Sequence, residues 1–335
     1  MYGHFGDTLR HRRQLKAQRR REALRIYYAS DVHGSELCWK KFLNAARHYE
    51  AGVLIMGGDL TGKAMVPIVR SNGTAVAEVV GEKRTARSEE ERAALEAAIR
   101  ANGFYPLEIS PEQHAAMRGD AALRESLFAR AMVEELRRWV ELAEQRLGDS
   151  DVRVFVMPGN DDPWAIDEVL ESARGVTACD DRIVRVGEHE MLSCGYSNPT
   201  PWDSPRELVE EELYDRIDRL ARQLESPSTA IFNLHVPPHN SGLDTATELD
   251  DEFRPVLRAG QPHEVPVGSS AVRRLIEEYQ PLLALHGHIH ESRGITRIGR
   301  TLAINPGSDY SGGRIDGCVV DLSGGAVKSS QLVSG

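Results

Sequence analysis

Short apolar runs that end in glycine or in a polar residue recur along the chain. Residues 26–30, 53–56 and 152–157 are such runs, and their β-branched and aromatic residues are typical of strands. Between the first two, residues 36–50 carry apolar side chains at helical spacing. This alternation predicts a parallel sheet covered by helices, with ligands bound beyond the carboxyl ends of the strands.

Residues 61–148 interrupt this alternation. Two apolar strands flank Asn72-Gly73, which favours a hairpin turn. Ser88 caps a helix that runs to Asn102, with Glu91 at the capping-box position, and a second helix spans 111–147 with a break near Gly119-Asp120. Because the segment leaves one strand end and returns to another, we expect it to form a wall or lid over the site.

Beyond residue 160 the pattern is richer in strands. It predicts a hairpin around Gly187, helices over 207–224 and 271–279, and a closing strand over 317–322. Two stacked sheets with helices outside accommodate this order. The polar stretch from Asn240 to about Gly268 is expected to be a loop that borders the substrate cleft.

Five short strings of metal-binding residue types follow these apolar runs. Side chains at the ends of neighbouring strands can converge on one point, and carboxylate, amide and imidazole donors suit a pair of divalent transition metals. Manganese or iron fits this mixed donor set best, and zinc is possible. The strings are Asp31-Val32-His33, Gly58-Asp59, Gly159-Asn160-Asp161-Asp162, His235 and Gly287-His288-Ile289-His290.

In these strings, and in their order, the chain resembles the calcineurin-like metallophosphoesterase superfamily. The resemblance implies a four-layer α-β-β-α sandwich of two mixed sheets over residues 26–330, interrupted by the 61–148 insertion. It implies hydrolysis of a phosphoester by in-line attack of a hydroxide shared by two metals, without a phospho-enzyme. It further implies that Asp59 bridges the metals, that Asp31, His33 and His290 bind one of them, and that Asn160, His235 and His288 bind the other.

The third string departs from the family pattern, which has histidine where this chain has Asp161. Three interpretations stay open: substrates with good leaving groups, a proton donated by His239, or Asp161 itself protonated by crowding against Asp162. We favour His239 or a metal-bound water, although His239 is equally well explained as a surface residue. His286 is expected to be buried and to orient a ligand through a hydrogen bond.

The substrate class follows from charge. The strings are mostly acidic, which favours a monoanionic phosphodiester, such as a cyclic nucleotide or a nucleic-acid end, over a dianionic monoester. In the 196–202 loop, Tyr196 and Asn198 are candidates to orient a base together with Asn160. The alternative is a proline-fixed turn with Trp202 packed on the core. Four arginines lie in loops that either reach the site or lie on the surface: Arg206, Arg254, Arg293 and Arg314.

Composition limits the partners. The formal net charge is −10, which argues against binding of nucleic acid by the whole surface. Residues 1–25 form a basic extension with six lysines and arginines between positions 12 and 21. It is either a solvated tail or an arm that binds single-stranded nucleic acid. Two rivals to the phosphodiesterase therefore stay open: a metal-dependent nuclease and a scaffold without catalysis.

Cysteine usage and hydropathy indicate the compartment. The 4 cysteines lack CxxC spacing and are expected to be buried thiols in a reducing environment. No apolar stretch reaches the ~18 residues of a membrane span, and we see no signal-peptide core. We therefore expect a cytoplasmic protein. The sequence predicts no oligomeric state.

Overall fold

The structure, a computed structural model, describes residues 23–335, so nearly all of the basic extension lies outside the described residues. Over this part of the chain, no helix has both the length and the apolar character needed to cross a bilayer. The helices are α1 (Glu36–His48), α2 (Glu89–Ala101), α3 (Pro111–Gly119), α4 (Ala121–Leu147), α5 (Asp167–Ser172), α6 (Glu210–Ala221) and α7 (Ser270–Tyr279). The strands are β1 (Leu24–Ala29), β2 (Val53–Met56), β3 (Met65–Ser71), β4 (Thr74–Val79), β5 (Glu82–Ala86), β6 (Tyr105–Ile109), β7 (Arg153–Val156), β8 (Thr177–Ala178), β9 (Arg182–Val186), β10 (His189–Cys194), β11 (Ile231–Leu234), β12 (Thr245–Thr247), β13 (Leu257–Arg258), β14 (Gln261–Pro262), β15 (Glu264–Pro266), β16 (Leu283–Leu285), β17 (Gly294–Ile298), β18 (Thr301–Asn305), β19 (Asp316–Ser323) and β20 (Ala326–Ser334).

Two mixed sheets of six strands form the body of the molecule. The first has the order β20-β19-β1-β2-β7-β8, in which β1, β2, β7 and β8 are parallel. The second has the order β17-β18-β16-β11-β10-β9, with four parallel central strands and antiparallel edges. The predicted sandwich of two mixed sheets is confirmed.

Three apolar layers hold the sandwich together. Side chains such as Ile55 and Phe155 from the first sheet meet Ile231 and Leu285 from the second. The outer face of the first sheet packs on α1 and α4, and that of the second packs on α6 and α7. The layer order is therefore α-β-β-α. All four cysteines are buried and free, as expected.

The interrupting segment builds a sheet of its own. Its order is β5-β4-β3-β6, and the predicted hairpin at Asn72-Gly73 joins β3 to β4. Ser88 caps α2 as predicted, but the Glu91 carboxylate accepts from the Arg87 amide instead of completing the box at Ser88. The long helix breaks at Asp120, which ends α3 and caps α4.

Two expectations about the second half need correction. The helix predicted over 207–224 spans only 210–221, because the Glu207 carboxylate accepts hydrogen bonds from Thr200 and Ser204 and so belongs to the preceding loop. The stretch from 240 to 268 is more ordered than a loop. It forms two small antiparallel ladders, β12 with β15 and β13 with β14.

Candidate metal centre

The structure brings the predicted ligands together at the carboxyl ends of the strands of both sheets. Donor atoms of Asp31, His33 and His290 lie within 4.8 Å of one another, and so do those of Asp31, Asp59 and His235. A spread of this size fits donors arranged around a common ion. The imidazoles of His33 and His290 approach to 3.1 Å between their Nε2 atoms, where one proton at most can lie between them.

Asp59 lies between two groups of donors. Its Oδ1 is 3.4 Å from Nε2 of His235, and its Oδ2 is 3.6 Å from Nε2 of His33. On the His235 side, the Asn160 amide oxygen lies 3.0 Å from that same Nε2 and 2.7 Å from Nδ1 of His288. Each carboxylate oxygen of Asp59 thus faces a different donor group, which is the arrangement that a bridging ligand requires.

Backbone conformation aims several of these side chains inward. Asp31, His33, Asp59 and His288 all have positive φ, between 37° and 65°. Non-glycine residues adopt this region at a cost of about 1–3 kcal/mol, and such residues cluster at functional sites. The chain therefore turns sharply just after β1, β2 and β16, and this turn places side chains from neighbouring strands around one point.

The glycines of the strings allow close approach. A side chain at Gly159 would collide with the Asp59 carboxylate, and one at Gly287 would collide with Asp31 and Ser30. Glycine is the residue that leaves room for these carboxylates against the neighbouring backbone.

Hydrogen bonds outside the cluster fix the orientation of its members. The Nδ1 of His235 bonds the Gly57 carbonyl at 2.8 Å, so that its Nε2 faces the other donors. Two amide contacts from His288, at 3.0 and 3.1 Å, hold the Asp31 carboxylate. His286 is buried as predicted, but its Nδ1 contacts the carbonyls of Leu234 and Val236 on either side of His235 instead of a ligand side chain.

The acidic residues set the charge state of this cluster. Burial alone would lower the pKa of His235, but the neighbouring Asp59 and Asp31 raise it to about 10. Burial dominates at His288 and lowers its pKa to about 4. Burial opposes ionisation of Asp31, yet the hydrogen bond and charge of the facing histidines hold its pKa below the usual value. The pKa values of Asp31 and Asp59 are both held below their usual range, so these carboxylates supply the negative charge that a divalent cation requires.

Asp162 anchors the loops that carry the cluster. Its buried carboxylate accepts bonds from the amides of Leu60, Thr61 and Gly159 at 2.8–3.0 Å, and from the Thr61 hydroxyl at 2.7 Å. Burial, with the nearby charge of Asp59, raises the pKa of Asp162 to about 6. These hydrogen bonds are all with the site loops, whereas Asp161 has other partners, Lys63 and Ser204; crowding of the two carboxylates stays a hypothesis.

Replacement of Asp162 by alanine should destabilise the protein. The variant leaves buried donors of the two loops without an acceptor, and we expect a loss of about 3 kcal/mol in the free energy of unfolding. Urea denaturation of metal-free protein measures this loss, with the exposed Asp151→Ala as control. A loss below about 1 kcal/mol would contradict the anchoring role.

Asp161 has two roles in the geometry. One of its carboxylate oxygens forms an ion pair with Lys63 at 2.6 Å, and the other accepts from Ser204 at 2.9 Å. It also forms a third group of potential metal donors with His33 and Asp59. Sequence reasoning missed Lys63 and Ser204. The position of Lys63 four residues after Asp59 was a usable signal for the first, whereas nothing in the sequence pointed to the second.

A cleft of about 1220 Å³ opens over the cluster. Asn198 and His239 lie on its wall, as does Trp202, whose side chain is 66% exposed and so does not pack on the core. Phe128 of α4 lies on the wall as well, and the 246–249 and 265–268 segments border it as expected. Tyr196 is not among the lining residues; its buried ring lies 4.1 Å beneath the Arg216 guanidinium.

The four arginines named from the sequence do not line this cleft. Arg206 is buried, pairs with Asp167 and donates to the Asp162 carbonyl, so it supports the loop from behind. The others bond to groups outside the cleft: Arg254 to Asp250, Arg293 to Pro306, and Arg314 to Asp316.

His239 lines the cleft, but the contacts it makes are with residues other than the predicted ligands. Its Nδ1 is 3.9 Å from the Asp244 carboxylate, and its amide bonds to Ser269. The side chain is 45% exposed. Its role as a proton donor therefore stays a prediction that depends on where a substrate lies in the cleft.

Fold and site together define a class: a four-layer α/β sandwich with a cluster of aspartates and histidines able to bind metal. No family model matches the chain. The chain is 30% identical over 171 residues to the uncharacterized protein MJ1162 of Methanocaldococcus jannaschii. The matched region covers 50% of this chain and 70% of MJ1162. It belongs to the same protein family as MJ1162.

Solved structures resemble the whole fold. One matches with a TM-score of 0.53 and 15% identity, covering 93% of this chain and 98% of that chain. A novel archaeal phosphodiesterase matches with a TM-score of 0.39 and 11% identity, covering 93% of this chain and 99% of its own. The similarity to the first structure, at 15% identity, indicates a shared fold and nothing more. The similarity to the archaeal phosphodiesterase is too distant to support an argument.

Proposed function

We propose that the protein is a phosphoesterase that depends on two divalent metal ions and hydrolyses a nucleotide-type phosphodiester. The position of Asp59 supports this most directly, because its two oxygens face the two donor groups at 3.4 and 3.6 Å. His33, Asp31 and His290 would hold one ion, and Asn160, His235 and His288 the other. Manganese or iron suits this donor set, with zinc possible.

The chain itself supplies orientation and charge. When bound, the two ions would lower the pKa of a shared water toward neutrality and so provide a nucleophile for in-line attack. Gly57 and Asp31 hold His235 and His288 in place through hydrogen bonds, and Asp162 fixes the loops of Asp59 and Asn160. The four cysteines are buried, so none is placed to act as a covalent nucleophile.

A diester fits the charge of the cleft better than a monoester. Asp161, Asp203, Glu210, Glu248 and Glu291 all line it. Each added negative charge on the substrate is repelled by these carboxylates, so a monoanionic diester is bound at a lower electrostatic cost than a dianionic monoester. The volume of about 1220 Å³ also leaves room for groups much larger than a phosphate.

Trp202 is the residue we expect to stack on the base. Its indole lies on the cleft wall and is 66% exposed, and Asn198 on the same loop has a side-chain oxygen without a partner. Base–aromatic stacking contributes about 1–3 kcal/mol per base, so Trp202→Ala should raise KM for a nucleotide diester by about 5- to 100-fold. The KM for bis(p-nitrophenyl) phosphate should change less.

Steady-state kinetics on both substrates measures this difference, with Phe253→Ala as the matched control. Phe253 is also exposed, at 53%, but it does not line the cleft. Equal KM values for the nucleotide diester in the Trp202→Ala variant and in the wild type would contradict the stacking role.

An activity panel with measured metal content tests the function as a whole. We expect Mn²⁺-dependent hydrolysis of cyclic nucleotides or dinucleotides, and slower hydrolysis of mononucleotides. Preference for single-stranded RNA or DNA, with a steep loss of activity in salt and on deletion of residues 1–21, would favour the nuclease instead. Absence of hydrolysis across the panel in metal-loaded protein would refute the proposal.

A further inference from the structure

Lys63 is a cation beside the metal cluster with no role yet assigned. Its Nζ lies 2.6 Å from the Asp161 carboxylate, and its side chain is 62% exposed. Among the described residues that line the cleft, it is the one lysine, and there is no arginine. Six carboxylate residues also line the cleft, so Lys63 adds a fixed positive charge to an otherwise acidic wall.

The chain holds Lys63 firmly in this place. Asp162 fixes the amides of Leu60 and Thr61, and the next residue, Gly62, donates its amide to the Tyr105 hydroxyl at 2.5 Å. Gly62 also packs closely against Gly34, and a side chain at Gly34 would collide with the Gly62 backbone. The backbone leading to Lys63 is therefore tied both to the site loops and to β6 of the inserted sheet.

Asp161 fixes the ammonium relative to the cluster. The Asp161 amide donates to Oδ1 of Asp59 at 3.0 Å, while its carboxylate accepts from Ser204 as well as pairing with Lys63. The ammonium is thus joined through one residue to the carboxylate that faces both donor groups. An ammonium carries three donors, and the Asp161 pair accounts for one, which leaves donors for a phosphate oxygen.

We propose that Lys63, held by Asp161, binds a non-bridging phosphate oxygen of the substrate as a fixed positive charge. The inference rests on the proposed function and adds a specificity-determining residue to it. A lysine paired with a carboxylate keeps its proton, so Lys63 contributes charge and hydrogen bonds and does not transfer a proton. An arginine should therefore replace it in part, because arginine binds phosphate oxygens and stays protonated.

Calorimetric titration of the Mn²⁺-loaded protein with inorganic phosphate tests the proposal without turnover. Since a hydrogen bond to a charged group contributes about 1.5–3 kcal/mol, Lys63→Met should weaken phosphate binding by about 10- to 100-fold. KM for bis(p-nitrophenyl) phosphate should rise by a similar factor. Lys63→Arg should recover most of both losses, and Lys83→Met, on an exposed strand of the inserted sheet, should change neither.

The outcomes separate this inference from the proposed function. If no ester is hydrolysed but phosphate binding still depends on Lys63, the proposed function fails, and only the assignment of Lys63 as a phosphate-binding residue stands. If diesters are hydrolysed and Lys63→Met leaves KM and phosphate affinity unchanged, the inference fails and the function stands. No phosphate binding by the wild type, or an arginine variant as impaired as the methionine variant at full metal content, would also overturn it.

Discussion

Asp59→Asn is expected to abolish hydrolysis of phosphodiesters while the fold persists. The substitution keeps the side-chain shape but removes the negative charge that both donor groups face. Loss of several kcal/mol of stabilisation at the metal centre corresponds to a fall in kcat of about a thousandfold or more. His288→Ala should have a comparable effect, because it removes an imidazole nitrogen that is a candidate metal ligand and lies 2.7 Å from the Asn160 oxygen.

Hydrolysis of bis(p-nitrophenyl) phosphate with saturating Mn²⁺ measures these losses. Asp151→Asn, on the exposed turn before β7, is the matched control and should keep wild-type activity. Circular dichroism of each variant checks that the fold is retained. Hydrolysis near the wild-type rate by Asp59→Asn or His288→Ala would refute the assignment of that residue as a ligand.

Metal binding is expected to stabilise the protein strongly. At a free Mn²⁺ concentration a thousandfold above Kd, binding to the native state adds about 4 kcal/mol per site to the free energy of unfolding. For a chain of this size that corresponds to a rise in Tm of about 5–10 °C, which excess chelator should reverse. Differential scanning calorimetry at a fixed protein concentration measures the shift.

The same experiment separates an enzyme from a scaffold without catalysis. Asp59→Asn should reduce the shift in Tm, whereas the Asp151→Asn control should show the full shift. Purified protein that retains no metal, together with a Tm that does not respond to Mn²⁺, would favour the scaffold.

The sequence predicted the body of the fold because its signals are local. The parallel strands that lead to the site are apolar runs followed within three residues by glycine, aspartate or histidine, and the carboxyl ends of such strands lie at one edge of a sheet whatever the loop conformations are. The inserted sheet escaped prediction in part because β5, with the sequence Glu-Lys-Arg-Thr-Ala, has four exposed residues and little apolar alternation. Strand β6 follows a helix directly and pairs in parallel with β3, which no local pattern shows.

Residues brought together by loop geometry were harder to predict. The sequence does not distinguish the two aromatic residues of the 196–202 loop: Tyr196 is buried beneath Arg216, whereas Trp202 lies exposed on the cleft wall. Lys63 meets Asp161 only because two loops from different strands approach each other. Alternating patterns report burial along a strand, and they carry no information about such contacts between loops.

The most direct test of the central claim is a crystal structure of the protein grown with Mn²⁺, with anomalous scattering used to locate the ions. We predict two anomalous peaks about 3.5–4 Å apart, one on each side of the Asp59 carboxylate. Asp31, His33 and His290 should surround one peak, and Asn160, His235 and His288 the other. A single peak, or peaks that do not contact Asp59, would contradict the account.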